Sequence, residues 1–159
     1  TMRGGIPIVR SAHNCRDGTS MLRVVSRDDR DEKDEAHMAI RVGINGFGRI
    51  GRLFFRLASE HPEIEIVAVN DLVPADNLAY LLKYDTMHRQ FAIGGKHAAV
   101  SATETSFTVN GRVTKTMAEK DPAKLPWKDL GVQYVLESTG LFTDHEKASA
   151  HIAAGCKRV

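Results

Sequence analysis

Residues 40–51 read IRVGINGFGRIG, a short apolar run followed by a Gly-x-Gly-x-x-Gly turn whose glycines are Gly46, Gly48 and Gly51. Glycines at this spacing are a weak signal alone. Between a strand and a helix, however, they let backbone N–H groups and the positive end of the helix dipole receive a pyrophosphate. The stretch therefore predicts a strand, a phosphate-binding turn and a helix, and with them a dinucleotide site.

The residues after the glycines extend this pattern into a strand-helix-strand unit. Apolar residues recur on one helical face and predict a helix from about Arg49 to about Glu60, just before Pro62; they are Ile50, Leu53, Phe54, Leu57 and Ala58. Residues 64–69, IEIVAV, are mostly β-branched and apolar, which is typical of a parallel strand buried on both faces.

Asp71 stands at the end of the second strand, twenty positions after Gly51. Dinucleotide-binding folds place there the acid that accepts hydrogen bonds from the adenosine ribose, and a carboxylate at this point favours NAD over NADP. The alternative interpretation is that Asp71 only starts a surface turn, as Asp commonly does.

The remaining elements complete an α/β pattern. Residues 77–84 read as a helix with Leu78, Leu81 and Leu82 on one face, and residues 134–137 read as a further strand. Residues 106–109 and 113–116 flank Asn110-Gly111-Arg112, and Asn-Gly is the strongest short hairpin signal. The sequence thus predicts a Rossmann-type, doubly wound, mainly parallel sheet with an inserted antiparallel hairpin.

A last helix is expected before the C-terminus. Thr143 and Glu146 have the spacing of a capping box, which predicts a helix reaching about Ala154 and ended by Gly155 as its C′ residue. His145 and His151 lie on this helix without a Cys, Asp or Glu cluster at ligand spacing, so surface histidines are expected and no metal site. Cys156 follows it and is interpreted as a small packed residue at a strand start.

Residues 42–52 resemble the opening of the glyceraldehyde-3-phosphate dehydrogenase family. Further segments resemble that family in its order: residues 68–72, 81–86, 109–111, 119–122, 137–142 and 154–159. The resemblance runs from Met38 to Val159 and is specific, because several separate motifs match. It implies an NAD-binding Rossmann domain over residues 38–159.

The resemblance also implies a role for each matching position. The turn would hold the pyrophosphate with the backbone amides of Arg49 and Ile50, and Lys120 stands where the family usually has an arginine beside the adenine. Leu72 and Phe142 would contact the adenine. The cofactor-binding residues implied are Asn45, Gly46, Phe47, Gly48, Arg49, Ile50, Gly51, Asn70, Asp71, Leu72, Lys120, Ser138, Thr139 and Gly140. By composition alone, Thr139-Gly140 and the loop at Lys120 are equally consistent with ordinary turns.

In this family the aldehyde is attacked by a cysteine and the hydride passes to NAD, after which phosphate releases the product. The cysteine and its histidine belong to a second domain, which we expect to be missing from this chain, so that the sheet would be incomplete at the C-terminus and no catalytic residue would be present. The aldehyde would then bind only through that domain, and the family also implies a homotetramer. The alternatives are an erythrose-4-phosphate dehydrogenase-like enzyme and a non-catalytic NAD-binding module.

Residues 1–37 match nothing in the family, and their mixed charges predict a disordered extension, with an organellar transit segment as the alternative. The whole chain has 159 residues and a net charge of +2, too small a balance to argue for nucleic acid. Only two cysteines, Cys15 and Cys156, are present, which favours a reducing, cytoplasmic compartment. No apolar run is long enough to span a membrane.

Overall fold

The computed structural model describes residues 39–159, so the expectations for residues 1–37 lie outside the described range. The described part contains ten strands and four helices, in chain order β1 (Ile40–Asn45), α1 (Arg49–Ala58), β2 (Ile64–Asn70), α2 (Ala75–Lys83), β3 (Tyr84–Asp85), β4 (Arg89–Gln90), β5 (Ala92–Ile93), β6 (Lys96–His97), β7 (Val100–Ala102), β8 (Ser106–Val109), β9 (Arg112–Met117), β10 (Tyr134–Glu137), α3 (His145–Ala148) and α4 (Ala150–Ala153), with a 3-10 turn at Pro122–Lys124.

One sheet of six strands organises the fold, in the order β10-β1-β2-β9-β8-β7. Strands β10, β1, β2 and β9 are parallel, whereas β8 and β7 continue the sheet in antiparallel pairing. The predicted Rossmann-type sheet with its inserted hairpin is confirmed. The hairpin closes through Asn110 and Gly111 at φ +48° and +85°, the left-handed pair that a two-residue type I′ turn requires.

Apolar clusters cover both faces of the sheet. One gathers α1, α2 and the strands around Ile44, Phe55 and Phe107, and the other surrounds the fully buried Trp127. Because side chains alternate along a strand, Gly43 faces the second cluster where Ile44 faces the first. A Cβ built on Gly43 would lie 2.7 Å from the Trp127 ring, so this position has room only for glycine.

Two expectations about helices are wrong in detail. Helix α1 buries Gly51, Phe55 and Ala58 rather than the whole predicted face, and Ile50 and Leu57 remain exposed. Gly51 packs α1 against the turn at Gly46, and this contact sets the rotation of the helix about its own axis. That rotation cannot be derived from hydrophobic periodicity alone. Near the C-terminus, Asp144 is the N-cap residue and no side-chain capping bond forms, so the capping box at Thr143 and Glu146 is absent.

The predicted C-terminal helix is also divided into α3 and α4 at Ser149, with Gly155 ending α4 at φ +107° as expected of a C′ residue. Arg158 forms a single parallel bridge to Tyr134 beside β10. Within residues 39–159, none of the helices has the length and apolar character needed to cross a bilayer.

Candidate dinucleotide-binding site

The predicted site residues gather at the carboxyl ends of the parallel strands. From β1 the chain passes to β2 on one side, while β10 pairs with β1 on the other side. The strand order therefore reverses at β1, and open α/β sheets bind ligands in the crevice outside such a reversal. We refer to the space between the turn at Gly46–Gly51 and the loop at Ser138–Leu141 as the crevice.

Gly46 makes the close approach that closes one side of the crevice. Its φ is +88°, in the left-handed region, and a Cβ there would lie 2.6 Å from the backbone nitrogen of Thr139. The Gly46 N–H donates to the Asn70 carbonyl at 2.9 Å, which ties the turn to the end of β2. Only glycine satisfies both the backbone angle and the contact.

Gly48 and Gly51 face opposite environments. A Cβ on Gly51 would fall on the Gly46 carbonyl oxygen, so this glycine lets α1 pack against the turn. A Cβ on Gly48 would meet nothing within 4 Å, so this glycine has no packing reason within the described structure. Its open side lies at the start of α1, and a side chain there would take up space in which a ligand could lie.

The start of α1 leaves backbone donors free. Gly48 is the N-cap residue, no side chain caps the helix, and its first turn holds no acid. Arg49 and Ile50 are exposed, and the first N–H groups of an α-helix have no partner within the helix. Arg52 Nη1 donates to the Phe47 carbonyl at 3.0 Å and braces the turn from behind. The arrangement fits an anion at the helix N-terminus.

Asp71 lies directly after β2, as expected, and its carboxylate joins the turn. Oδ2 accepts a hydrogen bond from the Phe47 N–H at 2.7 Å, and Oδ1 accepts one from the Val73 N–H at 3.0 Å. The second bond is the surface turn of the alternative interpretation, whereas ribose binding by Asp71 stays a prediction. Each carboxylate oxygen keeps further acceptor capacity for a hydroxyl group.

Asn45 and Asn70 are buried polar residues under the crevice. The Asn70 amide donates to Asn45 Oδ1 at 2.7 Å and to the Glu119 carbonyl at 2.8 Å, and the Glu119 N–H donates back to Asn70 Oδ1. These bonds connect the ends of β1 and β2 to the loop after β9. The neighbouring Lys120 is exposed.

The loop after β10 is organised by Glu137. Oε1 of Glu137 accepts from the Thr139 N–H at 2.8 Å and from the Thr139 hydroxyl at 2.5 Å. Oε2 accepts from Asn45 at 2.6 Å and from His151 at 2.9 Å. Burial works to raise the pKa of Glu137, but the hydrogen bonds from His151, Thr139 and Asn45 outweigh it and hold the pKa below its usual value.

The Ser138 hydroxyl then donates to the Gly46 carbonyl at 2.6 Å, so the loop and the glycine turn are joined directly. Gly140 follows at φ +77°, exposed. Of the two residues expected at the adenine, Leu72 is exposed beside Asp71, and Phe142 is half-buried with its ring edge-on to His151.

His151 was expected on the helix surface, and that expectation is wrong. The ring is fully buried and contacts Glu137 and Trp127. Sequence reasoning also assigned no role to Glu137, because no local spacing relates it to His151. His145 is exposed as expected, and Cys156 is buried, which raises the pKa of its thiol and favours the packing interpretation. Across residues 39–159, no three His, Cys, Asp or Glu side chains group together as metal ligands would.

Comparison with known proteins adds an independent finding. Residues 40–145 match the family model described as glyceraldehyde 3-phosphate dehydrogenase, NAD binding domain. The chain is 55% identical over 121 residues to a glyceraldehyde-3-phosphate dehydrogenase of Thermotoga maritima, covering 75% of this chain and 35% of that protein. It is 52% identical over 120 residues to glyceraldehyde-3-phosphate dehydrogenase 1 of Trichormus variabilis (76% and 34% covered) and 53% identical over 119 residues to that of Bacillus cereus (75% and 34%). The chain spans about a third of the length of these relatives.

Proposed function

The chain belongs to the glyceraldehyde-3-phosphate dehydrogenase family and carries its NAD-binding domain, and on that premise we propose that the crevice described above is the NAD site. One observation carries the proposal. The open side of Gly48 and the uncapped start of α1 coincide at a strand-order reversal, next to a carboxylate at the end of β2.

The pyrophosphate would lie against the glycine turn. The backbone N–H groups of Arg49 and Ile50 have no partner within the helix and would donate to it, helped by the positive end of the ten-residue helix α1. Gly48 would provide the space and Gly46 the sharp turn. Asn45, Phe47 and Gly51 would shape this turn from below and behind, through the hydrogen bonds and packing described above.

The two ends of the dinucleotide would extend to either side of β1. Asp71 would accept hydrogen bonds from the adenosine ribose, beside Asn70, with Leu72 and Lys120 near the adenine. Because lysine lacks the planar guanidinium of arginine, Lys120 would supply charge there rather than a stacking surface. The loop of Ser138, Thr139 and Gly140 would lie along the nicotinamide half, over the end of β10.

The reaction of the whole protein extends this proposal. The residues of this chain would hold NAD with its nicotinamide directed to a substrate domain that carries the reactive cysteine, and NAD, when bound, would supply the hydride acceptor. Oxidation of a phosphorylated aldehyde to an acyl phosphate is the activity favoured, since the relatives are named glyceraldehyde-3-phosphate dehydrogenases. An erythrose-4-phosphate dehydrogenase-like enzyme and a non-catalytic NAD-binding module remain the alternatives. Tetramer assembly, a glycolytic role and a cytoplasmic location also stay predictions.

The direct test is Asp71→Asn, with titration of NAD followed by calorimetry. Asparagine keeps the size of the side chain but loses the negative charge and one acceptor oxygen, so we expect the affinity for NAD to fall by about tenfold or more. Asp129→Asn, at an exposed aspartate outside the set of proposed site residues, serves as the matched control. NAD binding that is the same in both variants, with native circular dichroism spectra, would disprove the site.

A further inference from the structure

A continuous chain of hydrogen bonds lies beneath the crevice and reaches the core of the protein. It runs from the Glu119 backbone through Asn70 and Asn45 to Glu137, and from Glu137 through His151 to Trp127. The first half joins the ends of β1 and β2 to the loop after β9. The second half, from Glu137 to Trp127, has no role in the NAD site proposed above.

Trp127 determines which ring nitrogen of His151 acts as the acceptor. An indole N–H only donates, and Trp127 Nε1 donates to His151 Nδ1 at 3.0 Å. His151 Nδ1 is therefore an acceptor, which leaves the ring proton on Nε2, the tautomer assigned by these partners. His151 Nε2 donates this proton to Glu137 Oε2 at 2.9 Å. Trp127 and His151 are both fully buried, so neither of these two rings can turn away from its partner.

Glu137 receives four donors on two oxygens and so leaves no freedom in its orientation. Asn45 and His151 donate to Oε2, while the Thr139 N–H and hydroxyl donate to Oε1. The Thr139 oxygen in turn accepts from the Leu141 N–H at 3.1 Å. A single carboxylate with a 10% exposed side chain therefore fixes both the residue before Gly46 and the loop opposite it.

From these contacts we propose that Glu137, oriented by His151, is a positioning residue for the nicotinamide half of NAD. It places the Thr139–Leu141 backbone at the width from Gly46 that the ligand needs beyond the pyrophosphate. The proposal rests on the proposed function. Glu137 takes no part in the hydrogen bonds from Phe47 and Val73 to Asp71, the residue proposed to bind the adenosine ribose. A positioning role for Glu137 should therefore affect the nicotinamide half and not the adenosine half, whereas a general role in folding would affect both.

The experiment compares NAD with AMP, which carries the adenosine half and one phosphate only. Titrations are made by calorimetry, with AMP measured by competition, on Glu137→Gln and Thr139→Val. In Glu137→Gln at least one of the four donors faces an N–H group, and in Thr139→Val the hydroxyl link is lost at similar volume. We expect NAD affinity to fall by about tenfold in each and AMP affinity to change less than about twofold.

Two further variants complete the test. Thr139→Ser restores the hydroxyl and should restore NAD affinity, and Glu146→Gln, at an exposed glutamate soon after the loop, should leave both ligands unaffected. If Glu137→Gln does not fold, the Thr139 pair decides the test. Equal losses of NAD and AMP, or unchanged NAD affinity in Thr139→Val, would overturn the positioning role. An unmodified protein that does not bind NAD would instead overturn the proposed function on which it rests.

Discussion

At the scale of single residues, the three glycines of the turn have separable reasons to be glycine. Gly46 is required by its backbone angle and by Thr139, Gly51 by the Gly46 carbonyl, and Gly48 by nothing within the described protein. A substitution at each position therefore reports a different property. This separation allows ligand binding to be tested apart from folding.

Gly48→Ala should weaken NAD binding and leave the fold intact. Its φ of −71° is allowed for any residue, and the added methyl group meets no protein atom but enters the space proposed for the pyrophosphate. We expect about a tenfold or greater loss of NAD affinity by calorimetry, with a change in unfolding free energy within about 0.5 kcal/mol by urea denaturation. Full NAD affinity would contradict the placement of the pyrophosphate.

Gly51→Ala, in contrast to Gly48→Ala, should act mainly on the stability of the fold. Alanine is favoured over glycine inside a helix by about 1 kcal/mol, so the local preference alone predicts a more stable protein. Its Cβ would instead fall on the Gly46 carbonyl oxygen and push α1 away from the turn. We expect a loss of about 2 kcal/mol or more in urea denaturation, and a gain in stability would show that the turn relaxes freely.

The same scale shows where sequence reasoning works and where it fails. Glycine spacing and the position of Asp71 are local, and the structure brings those residues together at the crevice. The burial of His151 depends on Trp127 and Glu137, which lie 24 and 14 positions away in the sequence. A histidine on a short amphipathic segment carries no local sign of such partners.

At the scale of elements, the hairpin between β8 and β9 is the feature that local chemistry specifies best. Asn110 and Gly111 both have the positive φ that predicts a type I′ turn. Gly111→Ala should cost about 1 kcal/mol of stability, because an L-residue is strained in the left-handed region. Lys115→Ala, at an exposed position of β9, is the control. Equal unfolding free energies by urea denaturation would argue against a strained turn.

The turn between β3 and β4 gives a pH-dependent prediction. The backbone N–H groups of His88 and Met87 donate to Asp85 and lower its pKa from 3.8 to about 2. A carboxyl with a depressed pKa in the folded state stabilises the protein fully above its unfolded pKa, and this contribution is lost as the pH falls from about 4 toward 2.

Asp85→Asn should therefore flatten the acid side of the stability curve. Urea midpoints measured between pH 5 and pH 3 should fall less steeply in this variant than in the unmodified protein, since asparagine does not titrate. The same substitution at exposed Asp129 is the matched control for replacing a surface aspartate. A slope in Asp85→Asn equal to that of the unmodified protein would show that the turn is not sensitive to this carboxyl.

Helix ends and helix rotation were predicted less well than strands. The strands β1, β2, β8, β9 and β10 were predicted within about two residues because β-branched runs bounded by turns are local signals. The capping box failed because the helix has Asp144 rather than Thr143 as its N-cap residue, and no side chain caps it. The rotation of α1 follows from Gly51 packing on the turn, a tertiary contact that hydrophobic periodicity does not include.

At the scale of the whole molecule, NAD should stabilise the fold and Trp127 should report it. Trp127 is the single tryptophan of the chain and is fully buried, so unfolding exposes it and shifts its emission to longer wavelength. NAD at 100 times its dissociation constant should raise the unfolding free energy by about 2.7 kcal/mol. Gly48→Ala, measured by the same fluorescence at that NAD concentration, should show a much smaller rise. Equal rises in both proteins would place the ligand elsewhere.

The contact between the turn at Gly46 and the loop after β10 also determines when, during folding, the chain becomes able to bind a nucleotide. Ser138 and Gly46 are 92 positions apart, although the hydroxyl of one donates to the carbonyl of the other. Such non-local pairing forms late, because loop-closure entropy must be overcome before the contact contributes. A chain still emerging during synthesis holds the whole glycine motif and Asp71 before it holds the opposite wall. Nucleotide capture would then mark the last stage of folding rather than assist its beginning.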